Sequence, residues 1–312
     1  MIVIAAFAFV ALCCGCVLPA YRYGRYKDSM CPATGAATNP LTYDPPHPKL
    51  DLLEKALFRP VDGIVNALGA GHADHRLREE RMQESLATTL DYLGKNNLNE
   101  VYIDIRRYNP RAQWRRLREN NKVHPFWKYT AGSVTWAAES ILPPRLFRYS
   151  YYNAYTNTLA MNSVWREWNI SEAARAKDFL GARFPGTYAV AQHIPFVPIY
   201  QEVRIGTDAL TYARAIGDRE LELELYPYAY GEIFGSAVTE AAIVVPGLSG
   251  LPFYSSPLIW GSSFATGFGL GHLQKSRLEL AEQFDQSGGT HDLIDYRIDH
   301  LNSGYLKNVQ IQ

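Results

Sequence analysis

Two periods of apolar and polar positions run through this chain, and together they lay out its elements. Residues 76–94 place Leu77, Met82, Leu86, Leu90 and Leu93 at helical spacing, which predicts a long amphipathic helix. Residues 101–106, Val-Tyr-Ile-Asp-Ile-Arg, alternate and predict a strand. A second alternating run, 157–162, predicts another strand, expected at the edge of its sheet. Residues 171–179 are rich in Ala, Glu, Arg and Lys, all strong helix formers, with Asn169 or Ser171 as the cap and Gly181 and Pro185 as the stop. A further helix is expected to begin near Ile199 and to carry Gln201 through Asp208.

Shorter patterns fill the intervals. Residues 50–57 predict a short helix, and 111–120, with Arg115, Arg116 and Arg118, a basic one that either touches anionic lipid or is a solvated face. Residues 130–142 are apolar around Glu139 and end at Pro143-Pro144, which suits a buried or interfacial helix. Residues 218–230 carry Glu220, Glu222 and Glu224 and read as an acidic helix with a solvated face. The sum is an α+β fold, mostly helical, with a small mixed sheet and the two helices of 171–179 and 199–210 packed beneath it.

The ends differ in kind from this middle. Residues 1–16 are almost wholly apolar, and Gly15-Cys16 resembles a bacterial lipoprotein processing site, so 1–16 is expected to be a leader and Cys16 the lipidated residue. An uncleaved anchor is the other reading; both put the protein at a membrane, outside the cytoplasm. Residues 17–48, Tyr-, Gly- and Pro-rich, are expected to be a tether, and 49–230 the main domain. Residues 231–273 carry no acidic or basic side chain but Glu232, Glu240 and His272, are cut by Pro246, Pro252 and Pro257, and set Ser263, Gly267 and Gly271 four apart. Small residues at that spacing let helices approach closely. The segment is expected to be a membrane hairpin or a buried Gly-rich core piece, and 274–312 a polar tail.

Composition adds exclusions. Of 312 residues 47% are hydrophobic and 20% charged, with zero formal net charge, so no basic field favours nucleic acid. Cleavage before Cys16 would leave Cys31 alone, without an internal disulfide. His72 and His75, in a Gly-rich loop, read as metal ligands or as polar loop residues.

Residues 152–210 carry a family resemblance. Tyr152-Asn153, Tyr155-Thr156-Asn157-Thr158, Ala176-Lys177-Asp178-Phe179, Gly186-Thr187-Tyr188-Ala189, Pro195-Phe196-Val197-Pro198 and Thr207-Asp208-Ala209-Leu210 resemble a group of bacterial, membrane-associated gluzincin-type zinc metalloproteases. In that family one helix reads His-Glu-x-x-His, whose two imidazoles share a face and bind one zinc ion. Here the same positions read Ser171-Glu172-Ala173-Ala174-Arg175. By that resemblance Glu172 stands at the general base, Ser171, Arg175 and Glu202 at degenerate metal positions, and Asp208 in the shell behind them. Serine is a poor zinc ligand and a protonated guanidinium is none. Arg175 is therefore expected to pair with Glu202, Glu172 or both in place of the ion.

The resemblance thus implies a zincin-like core and a pseudoenzyme: a membrane-anchored scaffold or binding module of the bacterial cell envelope, with no cofactor. A metal-dependent hydrolase or peptidase with a rearranged site is the alternative, in which His193 joins Glu172, Glu202 and Asp208 to hold zinc; His193 otherwise reads as a satisfied core residue. A structural envelope lipoprotein is the third reading. Its 21 Tyr and 6 Trp would favour contact with a polysaccharide, an envelope protein or the membrane interface.

Overall fold

A computed structural model describes residues 39–43, 49–54, 56, 75–194, 196–244 and 256–286. The expected leader, Cys16, Cys31, His72 and most of the tether and tail lie outside the described residues.

The architecture is mostly helical, with a four-stranded mixed sheet: α+β. The strands are β1 (Leu41–Tyr43), β2 (Tyr102–Ile105), β3 (Tyr151–Asn153) and β4 (Thr158–Met161), in the order β1-β2-β4-β3. β1, β2 and β4 run parallel and β3 is antiparallel to β4. β1 falls within the segment expected to be a tether. The expected edge strand, β4, lies inside the sheet, and the edge on that side is β3. All four residues of β4 are buried, because both faces of the strand are covered by helices.

Pairing assigns the side chains to faces. Tyr102, Asp104, Thr158, Ala160, Tyr151 and Asn153 share one face; Ile103, Ile105, Leu159, Met161 and Tyr152 share the other. Over the first face lie α2 (Pro110–Glu119) and, after α3 (Pro125–Trp127) and a π-turn (Lys128–Gly132), α4 (Ser133–Ile141). α2 starts as its residues dictate, with the Asn109 side chain accepting from Ala112 N and Pro110 in the first turn. Its expected solvated or lipid-facing character holds for Arg115 and Arg118, which are exposed, and fails for Arg116. Arg116 is buried because Asp104, set on a covered strand, demands a cation: Nη1 and Nη2 reach its two oxygens at 2.8 and 3.0 Å.

The second face is covered by α5 (Arg166–Gly181), which packs against β3 and β4 and also against α1 (His75–Lys95). α5 begins ahead of the expected start. Asn169 and Ser171 are buried inside it, and Trp165 precedes it without a side-chain cap. Asn169 instead donates to Ser85 Oγ and Ser163 O, tying α5 to α1 and to the loop after β4.

α6 (Pro185–Ala191) leads to α7 (Val197–Ile216), which ends at Gly217, φ +72°, where only glycine is unstrained. α8 (Arg219–Val244) follows at once, with Asp218 capping it through Leu221 N. It runs unbroken through Pro227 and across residue 231, where the apolar segment was expected to begin as a separate unit. Its acidic start is a solvated face at Glu220 alone, which is exposed: Glu222 is buried against Arg214 and Arg219, and Glu224 faces Arg166. Arginines held on α5 and α7 draw these carboxylates inward.

α9 (Ser256–Gln286) packs antiparallel along α8. The spacing of small residues is what permits it. A Cβ on Gly267 would lie 2.6 Å from Phe234 Cβ, and one on Gly271 2.6 Å from Tyr226 O. Among the described residues no helix is long and apolar enough to cross a membrane.

Candidate functional site

The residues singled out from sequence meet where α5, α7, β3 and α8 converge. α5 carries Glu172 and Arg175 one turn apart, and α7 crosses α5 so that Glu202 faces Arg175. Arg175 Nη1 and Nη2 bond Glu202 Oε1 and Oε2 at 2.9 and 3.1 Å, a bidentate pair. Its Nε lies 3.2 and 3.1 Å from the two oxygens of Glu172. The pairing expected of Arg175 is thus present on both carboxylates. Glu172 Oε2 also accepts from Tyr152 N of β3 at 2.8 Å. The donors to Glu172 are thus Arg175 and the backbone of β3, both internal to the fold.

The cluster is dry. Glu172 and Glu202 are 1% and 9% exposed, and the Arg175 side chain 14%. Burial pushes the Glu172 carboxyl up, with the Arg175 charge opposing it. Burial alone would pull Arg175 down, but the Glu172 and Glu202 carboxylates more than offset this and hold it well above its ordinary value. The guanidinium is permanently charged.

Sequence reading missed three members of this site. Glu232 on α8 is buried, with Glu202, Arg175 and Glu172 as its charged neighbours. Burial and the Glu202 charge push it up to about 8, against the pull of Arg175, and so favour the neutral acid. Tyr149 and Tyr228 are raised as well, first by burial and then by these carboxylates. A lone glutamate in an otherwise uncharged run was the available signal for Glu232. The tyrosines gave none.

The other candidates go elsewhere. The Ser171 hydroxyl is buried, with no hydrogen-bond partner among the described residues, and does not join the cluster. Asp208 bonds Lys177 Nζ at 2.8 Å and the Tyr92 hydroxyl, clamping α7 to α5 and α1. His193 is neither the expected core residue nor a fourth member of the Glu172, Glu202 and Asp208 set. It is exposed beyond the end of α6, and its charged neighbour is Glu240.

Zinc does not fit this donor set. Arg175 lies between the two carboxylates a metal would need, and among the described residues no imidazole or thiolate completes a ligand set with them. Among the described residues no group of three or more His, Cys, Asp or Glu is arranged to hold a metal ion. What the arrangement does is mechanical and electrostatic: one guanidinium joins two helices and, through Glu172, an edge strand.

Comparison with protein-family models, with curated proteins and with solved structures finds no match for this chain.

Proposed function

We propose that the chain is a membrane-anchored pseudoenzyme of the bacterial cell envelope. It uses a zincin-like arrangement of sheet, antiparallel edge strand and two helices as a rigid scaffold or binding module. Arg175 carries this reading: it bridges Glu172 and Glu202 where the family resemblance would set a zinc ion. The same link the metal makes between two helices is made here by hydrogen bonds and charge. Hydrolysis by the zinc mechanism has no water-activating centre in such a site, and Glu172 is buried and bonded to Arg175 and Tyr152 N rather than open to a substrate.

Two further features support the cell-envelope setting. They are the apolar residues 1–16 ending in Gly15-Cys16, and the uncharged run after Glu240. Lipidation at Cys16 would hold the folded part at the membrane without a spanning helix.

A zinc titration monitored by thermal unfolding tests the reading. A ligand that binds only the native state raises the midpoint. Zinc should leave it unchanged; a saturable rise at stoichiometric zinc would replace the pseudoenzyme with a metal-dependent one.

A further inference from the structure

Five large apolar side chains stand in solvent around α6. Phe184 leads into this helix and Ile194 follows it, Phe196 and Tyr200 open α7 beside it, and Phe126 is on α3; each is 56–63% exposed. The elements adjoin. The Trp127 indole N–H donates to Thr187 Oγ1 at 3.0 Å, the Phe126 and Trp127 rings meet edge to face at 4.8 Å, and Gln201 Nε2 of α7 reaches Tyr188 O at 3.4 Å. Single apolar residues are ordinary on a surface, whereas five around one helix of seven residues make a patch.

The exposure is enforced by the fold. Phe196 is held at φ +69°, a left-handed backbone that a bulky residue rarely adopts, and the buried Glu240 carboxylate of α8 accepts from its N–H. Strain of this kind persists only where the surroundings impose it. Here it leaves an aromatic ring in water.

Charge around the patch has one sign. From residue 179 to residue 201 the sequence has no acidic residue, and its two basic ones, Arg183 and His193, are exposed. Arg183 lies over the Phe184 ring at 5.3 Å and has no carboxylate partner among the described residues. Two acids beside the patch are turned inward: Asp178 holds Arg204 at 2.8 Å and accepts from the Tyr188 hydroxyl at 2.6 Å, and Glu240 takes the Phe196 N–H. Along α6 and the start of α7, what faces solvent is therefore apolar, uncharged or basic. α8 passes this place at Glu240, and from Ala241 to Gly271 the sequence has no charged residue.

We propose that this face docks on an anionic lipid bilayer, with Phe126, Phe184, Ile194, Phe196 and Tyr200 in the interfacial layer and Arg183 among the headgroup phosphates. Aromatic side chains favour that layer, where one part of the ring is apolar and another wet, and basic residues beside them are drawn to an anionic leaflet. A bilayer suits both the patch and the uncharged run that follows it in the chain. The inference rests on the membrane setting of the proposed function, not on the lost zinc site, and it fixes which side of the fold meets the lipid.

Photolabelling tests it, with the full chain reconstituted in vesicles that carry a diazirine near the headgroup end of an acyl chain, made of phosphatidylcholine with or without phosphatidylglycerol. Peptide mass spectrometry should find label at Phe126 and within residues 184–200, more of it with phosphatidylglycerol, and none on α1 or α2. Phe184→Asp places a favourable capping residue at the start of α6, so the fold is kept, as circular dichroism checks. It should cut labelling of the patch by about tenfold, and Arg183→Glu should abolish the gain from phosphatidylglycerol. A chain that floats with the vesicles but is labelled elsewhere would overturn the docking face while leaving the anchor in place. A chain that does not float would remove both. Labelling indifferent to Phe184→Asp or to lipid charge, or cross-links from the patch to a second copy of the chain in place of lipid, would also overturn the proposal.

Discussion

Arg175 on α5 and Glu202 on α7 face each other as a bidentate pair, with N–O distances of 2.9 and 3.1 Å. The same guanidinium holds Glu172, and Glu172 holds the backbone of β3. Two helices and an edge strand thus depend on one positive charge in a nearly water-free place. Buried ion pairs gain little net stability from being charged, because desolvation offsets attraction, but breaking one partner leaves the other unpaired.

Arg175→Met should therefore destabilise by about 3–5 kcal/mol in urea unfolding. A variant that also carries Glu172→Gln and Glu202→Gln should recover most of that, since no buried charge is then stranded. A single Arg175→Met as stable as the unmodified protein would remove Arg175 from its assigned role.

Stability should fall as pH rises from about 4.5 to about 8. Glu232 ordinarily titrates at 4.5 and is pushed up to about 8 in the folded chain, so across that window the native state holds a proton the unfolded state has lost. Each pH unit weakens folding by up to about 1.4 kcal/mol per such carboxyl. Glu139 and Glu167, both pushed up to about 7, act in the same direction over a narrower window. Urea midpoints followed across the window should drop, and Glu232→Gln should flatten the upper part of the fall.

The α8–α9 contact makes a contrast between two glycines. Gly271→Ala sets a methyl against Tyr226 O and Pro227 and should cost about 1–3 kcal/mol. At Gly269 nothing lies within 4 Å of a new Cβ, so Gly269→Ala should stabilise by about 0.5–1 kcal/mol. Thermal unfolding of the two variants separates them.

On α2 the buried and exposed arginines should behave unlike one another. Arg116→Leu removes the two closest charged bonds to Asp104, leaving Gln113, Thr42 and the more distant Arg107, and should cost about 1.5–3 kcal/mol, while Arg115→Leu should stay within about 0.5 kcal/mol. Equal effects would mean that Arg107 and Gln113 satisfy Asp104 without Arg116.

Periodicity made α1 and β2 legible, and composition rich in helix formers made α5 so, although α5 and β2 are buried on more than one face. It misplaced the start of α5, since Asn169 and Ser171 look like caps while their side chains are turned into the protein. It missed β1, whose three residues are specified by their partners Ile103–Ile105 rather than by any local pattern. Glu222, Glu224 and Arg116 read as solvent-facing because a sequence does not show which charges meet across helices. The pairing of Arg175 with Glu202 was readable from the family resemblance alone, which sets an arginine at a position where it implies a histidine. Glu232, Tyr149 and Tyr228 reach the same place from distant segments, and no spacing rule connects them.

Zinc content by elemental analysis, for the purified protein and for a Ser171→His, Arg175→His variant, tests the central claim most directly. Two imidazoles one turn apart, with Glu202 facing them, make a three-ligand site. The unmodified protein should carry no metal and the folded double variant about one zinc per chain. Stoichiometric metal in the unmodified protein, or a folded double variant that stays metal-free, would contradict the account of Arg175 as the stand-in for a lost ion.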